Sequence, residues 1–134
     1  MKRIYVGIDA SDNQGKIDHK KVVEAGCEFA VLRSTRGSGK ADYRFTENLA
    51  GFLAQGIPVE VYKYMYATTV EMAKEEARKV LELLVKHGHK CIIWWDVEDR
   101  NTIGLLDQSV LTACIRAAKE GIEAAGFEFG IYIG

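Results

Sequence analysis

The chemistry this sequence offers is concentrated in three carboxylates. Asp96 and Glu98 close the apolar run Cys91-Ile92-Ile93-Trp94-Trp95 and stand two residues apart. Successive side chains of a strand point to opposite faces, so both acids face the same way, with Cα atoms roughly 6.6 Å apart at about 3.3 Å per residue. That spacing suits paired acid chemistry on one sugar bond, and it equally suits a single divalent cation held through oxygen ligands. A third acid, Asp9, closes the earlier segment Ile4-Tyr5-Val6-Gly7-Ile8 in the same manner.

The elements that must position these acids alternate along the whole chain. Strand-like segments at about 3–9, 28–35, 57–66, 90–97 and 128–133 are separated by helix-like segments at about 19–25, 44–55, 69–87 and 107–125. This is the pattern of βα units around a parallel sheet. In the third helix Thr68 or Thr69 supplies the N-cap, and Glu71, Glu75 and Glu76 load the early turns. Ala73, Ala77, Val80, Leu81, Leu84 and Val85 form its apolar stripe. Gly26, Gly56, Gly88 and Gly126 stand where each helix needs a left-handed residue to end it. The expected fold is therefore α/β, a single domain over residues 1–134. Its form is a parallel β/α barrel of the irregular TIM-like type, incomplete, with about five strands and four helices present. The fifth strand has no helix after it, so the chain reads as part of a larger barrel whose bare edge invites self-association.

Strand parity then sorts the side chains. Taking the Asp96 and Glu98 face as inward, Trp94 shares it, while Cys91, Ile93, Trp95 and Val97 point to the helices. In the first strand Arg3, Tyr5, Gly7 and Asp9 face inward and Ile4, Val6 and Ile8 outward. In the third, Glu60, Tyr62, Tyr64 and Tyr66 face inward and Val59, Val61, Lys63 and Met65 outward. Arg33 and Tyr132 are inward candidates by the same rule. The three acids fall at the C-terminal ends of their strands, where βα loops build the active sites of barrels.

Composition narrows the classes. A net charge of −1 with 48% hydrophobic and 28% charged residues describes an ordinary globular domain with no basic excess for nucleic acid. No run approaches the roughly 20 apolar residues of a membrane span, and the N-terminus lacks the pattern of a signal peptide. Cys27, Cys91 and Cys114 are widely spaced and read as buried, inert thiols. His87 and His89 flank Gly88 in a solvated turn and are given no role. The string Arg36-Gly37-Ser38-Gly39-Lys40 lacks the spacing of a phosphate loop and reads as a mobile loop rim. No cofactor is expected.

Against this background the chain resembles glycoside hydrolase family 25, the muramidases (lysozymes) of bacteria and their phages. The likeness rests on Gly7-Ile8-Asp9-Ala10-Ser11 with Gln14-Gly15 and Ile17-Asp18, on Phe29-Ala30-Val31-Leu32-Arg33, on Gly56-Ile57-Pro58-Val59 with Tyr62 and Tyr64, and on Asp96-Val97-Glu98. The resemblance implies an irregular β/α barrel that cleaves the β-1,4 bond between N-acetylmuramic acid and N-acetylglucosamine in peptidoglycan glycan strands. It implies Glu98 as general acid, Asp96 as an ionised partner that orients the substrate's N-acetyl group, and Asp9 as a further acid of the site. Tyr62, Tyr64 and Tyr132 would line the sugar groove, with Arg33 beside them. His19 stands where the family usually has Trp and Glu60 where it usually has Gly, and the family's final strands have no counterpart here. Two other readings remain: a partial barrel that binds glycans or assembles without turnover, and an enzyme in which Asp9, Asp96 and Glu98 hold Mg²⁺ or Mn²⁺. A peptidoglycan substrate implies action outside the cell or in its wall, reached by phage-type release or by export through a segment not present here.

Overall fold

A computed structural model describes residues 3–134. Five parallel strands form one sheet in chain order: β1 (Gly7–Ala10), β2 (Phe29–Arg33), β3 (Val59–Tyr64), β4 (Ile92–Val97) and β5 (Glu128–Ile133). Between them run α1 (His19–Glu24), α2 (Phe45–Ala54), α3 (Val70–Lys86) and α4 (Gln108–Ala124), with short 3-10 turns at Asp12–Gln14 and Ile103–Leu105. The alternation expected from the sequence is present, but the sheet does not close: β1 pairs only with β2, and β5 only with β4. The five parallel strands and four helices of the expected incomplete fold are thus present, and among the described residues the sheet is open rather than barrel-shaped.

Burial follows the strand period. Ala30, Leu32, Val59, Val61, Ile93, Trp95 and Val97 are buried in a core shared with Phe45, Phe52, Val80, Leu84, Cys114 and Ile122 of the helices. The alternate residues of the same strands face a cleft and are half-buried or exposed. Helix ends match the expected chemistry: Thr69 Oγ1 accepts from the Met72 N–H at 3.1 Å, and Asp18 Oδ1 accepts from the Lys21 N–H at 3.1 Å. Gly26, Gly56, Gly88 and Gly126 all have positive φ, as left-handed helix ends require.

Several expectations need correction. Residues 3–6 are not strand, and Ile4, Tyr5 and Val6 are 85%, 59% and 57% exposed. The register Gly7↔Phe29 gives the reason: residues 3–6 would have to pair with 25–28, which form the turn that ends α1. Arg3 and Tyr5 accordingly leave the inward set, Arg3 pairing with Glu28 instead. In α3 Leu83 is buried and Val85 is exposed, the reverse of the expected stripe. His87 and His89 are fixed rather than solvated, donating from Nδ1 to Leu83 O at 2.9 Å and from Nε2 to Val59 O at 2.8 Å. Cys114 is fully buried, whereas Cys27 and Cys91 are only partly so; burial pushes the Cys91 thiol up to about 12. No helix of the described residues is long and apolar enough to cross a membrane.

Two departures noted in the sequence find partners. His19 packs against Gly51 and edge-on to Phe52, and its Nε2 meets Asn48 Oδ1 at 2.9 Å, joining α1 to α2. Glu60 accepts from the Trp94 indole N–H at 3.0 Å, so the extra charge on the cleft face has its own donor.

Candidate active site

A cleft of about 710 Å³ runs over the helix-free face of the sheet. Its lining includes Asp9, Arg33, Tyr62, Tyr64, Asp96, Glu98 and Tyr132, so every site residue expected from parity opens on one space. Phe29, Val31 and Trp94 form the floor between them. Two aromatic rings there lie against neighbouring glycines: a Cβ on Gly130 would come within 2.4 Å of the Trp94 ring, and one on Gly7 within 2.3 Å of Phe29. Only a residue without a side chain admits such contact between adjacent strands.

The acids are placed by β1, by β4 and by the residue just beyond β4. Register puts Asp96 between Tyr64 of β3 and Tyr132 of β5. Asp96 is half-buried, while Asp9 and Glu98 are exposed. Asp96 Oδ1 is buried and has no hydrogen-bond partner among the described residues, and Glu98 stands two residues further along the chain on the same cleft. Burial above all, then the bond to Glu98 and the charges of Glu98 and Asp9, push Asp96 up to about 7. The sequence reading kept Asp96 ionised and Glu98 protonated. Burial instead favours the protonated form of Asp96.

The tyrosines frame the acids. Tyr62 is pushed up to about 12 by burial first and by Asp9 next, so its hydroxyl stays a donor at physiological pH. The strand order places β3, and with it Tyr62, between β1 with Asp9 and β4 with Asp96. Tyr64 OH donates to Asp99 Oδ1 at 3.4 Å, and Thr102 Oγ1 donates to the other oxygen of Asp99. Tyr132 is 57% exposed at the β5 edge.

Arg33 lines the cleft, yet carboxylates occupy its guanidinium. Its Nε donates to Asp42 Oδ2 at 2.7 Å and its Nη2 to Asp12 Oδ1 at 2.6 Å. Asp42 is only 4% exposed and also accepts from the Asp12 and Arg44 N–H groups. Sequence reasoning missed Asp42 and Asp12, which lie in loops without periodicity. Asp42 three residues before α2, accepting from the N–H of its N-cap Arg44, was the available signal. Lys63 was read as helix-facing; it is 2% exposed, and its Nζ donates to Arg36 O at 2.9 Å and Thr35 O at 3.4 Å. Burial lowers its pKa, and Glu76, which accepts from the Tyr66 and Ala67 N–H groups, opposes that. Among the described residues no three Asp, Glu, His or Cys side chains converge as a metal ion would need. The donor set for the divalent-cation reading is thus not assembled.

An acid-lined cleft at the C-terminal ends of parallel strands is the arrangement of a β/α glycosidase. The model of glycosyl hydrolases family 25 matches residues 8–134, and the chain belongs to that family. It is 22% identical over 129 residues to a probable GH family 25 lysozyme 4 of Dictyostelium discoideum, covering 96% of this chain and 60% of that protein. Among solved structures, the modular autolysin LytC of Streptococcus pneumoniae in complex with a synthetic peptidoglycan ligand is 26% identical. The match covers 94% of this chain and 31% of LytC, with a TM-score of 0.78. A family 25 glycosyl hydrolase of Bacillus anthracis shares the fold at 21% identity and a TM-score of 0.82, over 99% of this chain and 62% of that one. The chain thus spans about 60% of the length of the curated relative it matches.

Proposed function

We propose that this chain is a peptidoglycan hydrolase that cleaves the β-1,4 bond between N-acetylmuramic acid and N-acetylglucosamine. The observation that carries the reading is the half-buried Asp96 and the exposed Glu98, which open on one cleft together with Asp9. A glycosidase needs one protonated carboxyl for the leaving oxygen and a second group for the oxocarbenium-like transition state. Glu98, the more exposed member, reaches the leaving oxygen. The pair gives up one proton in this step, which passes from Asp96 through Glu98 to the leaving oxygen and leaves both carboxylates ionised. Asp96 is left ionised and accepts the N–H of the substrate's N-acetyl group, whose carbonyl oxygen attacks the anomeric carbon. Water then opens that intermediate and returns a proton to the pair. Asp9 adds negative potential for the developing positive charge. Tyr62, Tyr64 and Tyr132 offer flat faces to sugar rings and hydroxyls to their edges. Such a substrate places the site of action in the cell wall, reached by phage-type release or export.

Glu98→Gln should lower glycan-strand hydrolysis by roughly two to four orders of magnitude while leaving the thermal midpoint in place. Turnover equal to the parent chain would sink the assignment. A second reading is favoured by the partial span of the relatives: a module that binds glycan without turnover, with pairing of two copies through the β5 edge as its assembly mode. Binding of purified glycan strands with no reducing ends released would select it, and sedimentation would read the pairing.

A further inference from the structure

Tyr66 continues the row of cleft-facing tyrosines of β3 past the end of the strand. Its ring lies 4.9 Å from the Tyr64 ring, tilted by 55°, and both residues line the cleft. Tyr66 also rests on Gly37 of the hairpin that follows β2, where a Cβ would come within 3.3 Å of the ring. β2 and β4 flank β3 on opposite sides. The Gly37 contact therefore holds Tyr66 to the β2 side of the cleft, while Asp96 of β4 and the following Glu98 lie on the other.

Two charged side chains fix this contact. The hairpin is an antiparallel bridge between Thr35 and Ala41, closed by the Arg36 N–H on Lys40 O at 2.7 Å and the Gly39 N–H on Arg36 O at 2.9 Å. Lys63 donates from Nζ to Thr35 O at 3.4 Å and to Arg36 O at 2.9 Å, on the two residues that precede Gly37. The same ammonium lies 5.8 Å from the centre of the Tyr66 ring, within cation–π range. From α3 the half-buried Glu76 accepts the Tyr66 N–H at 2.9 Å and the Ala67 N–H at 3.3 Å. Lys63 and Glu76 each favour the other's charged form. A buried ammonium is costly unless its protons are taken up, and those of Lys63 are directed to a wall of the cleft rather than to the core.

We propose that Lys63 is a positioning residue for glycan binding: it sets Gly37 against Tyr66, and Tyr66 so held carries a further sugar beside those that span Asp96 and Glu98. Affinity therefore grows with glycan length. The inference rests on the peptidoglycan reading above. A tyrosine offers a flat, amphipathic face to a sugar at least entropic cost when its ring is already held in one orientation, and Lys63, Gly37 and Glu76 supply that hold from a strand, a hairpin and a helix.

The test is calorimetry with two peptide-free ligands, a disaccharide and a tetrasaccharide of alternating N-acetylglucosamine and N-acetylmuramic acid. All full-length chains carry Glu98→Gln, so that neither ligand is cut. The tetrasaccharide should bind roughly three- to tenfold more tightly, the range of one added aromatic contact. Tyr66→Ala should bring this ratio close to one. Because the longer ligand also carries a second carboxylate, that variant shows whether the gain comes from the ring. Lys63→Met should cut the ratio by roughly half or more, whereas a purely structural loss would weaken both ligands together and leave the ratio in place. Gly37→Ala crowds the Tyr66 ring from the rim and should lower the ratio in the same way; it decides the matter if Lys63→Met fails to fold. A ratio near one before Tyr66 is changed, or a ratio unchanged in Tyr66→Ala, overturns the proposal. So does a ratio left in place by a folded Lys63→Met or by Gly37→Ala, and all of these outcomes leave the hydrolase reading intact. Binding of neither ligand overturns the proposal as well, and the hydrolase reading falls with it only where the parent chain also leaves glycan strands uncut.

Discussion

Trp94 and Trp95 are adjacent in sequence and lie on opposite faces of β4. Trp95 is fully buried in the apolar core, 5.8 Å from the Phe129 ring, and its indole N–H has no partner. Trp94 lies in the cleft, its N–H donates to Glu60, and its ring rests on Gly130. The dry face forgoes a hydrogen bond in favour of close packing, while the Trp94 indole on the wet face keeps its N–H partnered and leaves its aromatic surface open. One strand thus carries stability on odd residues and recognition on even ones. Lys63 breaks the rule: it has the parity of the dry face yet is charged, because it lies near the strand end where loop carbonyls replace helix side chains.

The contrast predicts a graded series. Trp95→Ala should cost roughly 3–5 kcal/mol in urea unfolding, whereas Trp94→Ala should cost about 1–2 kcal/mol and weaken glycan binding. Equal losses would dissolve the division of labour. Asp42→Ala should cost roughly 2–3 kcal/mol, because Arg33 loses its most buried partner, and should disorder the cleft rim more than the core, as read by hydrogen exchange. Thr69→Ala should cost about 1 kcal/mol with no change in ligand affinity, since the lost cap lies in the helix layer.

The smallest effect concerns pH, because solvent reaches the acid pair. Asp96 binds its proton more tightly when folded, at about 7 against an ordinary 3.8. Its contribution to stability is therefore full below about 4, and is lost as pH rises through 7. Asp96→Asn should flatten that part of the stability profile; an unchanged slope between these limits would show that Asp96 is not the group titrating there.

Much of this was legible in the sequence because strand parity is rigid. Asp9, Tyr62, Tyr64, Asp96 and Tyr132 needed only a period of two to be assigned to one face, and the helix-ending glycines needed only their spacing. What escaped depends on contacts that no period encodes. Residues 3–6 alternate like a strand but have no strand opposite them. Asp42 and Arg36 lie in a loop whose shape is set by Lys63, distant in sequence. The raised pKa of Asp96 follows first from its partial burial, a matter of depth rather than of face.

The order of the sheet has a consequence for how the molecule comes into being. Every strand pairs only with strands adjacent in the chain, so each βα unit can dock as it leaves the ribosome, with short loops to close and nothing to thread. The acids follow a different schedule. Asp9 is in place with the first unit, but Asp96 and Glu98 arrive only with β4, after most of the core has formed. The like-charge repulsion of the site is thus met late, by a scaffold already able to hold it.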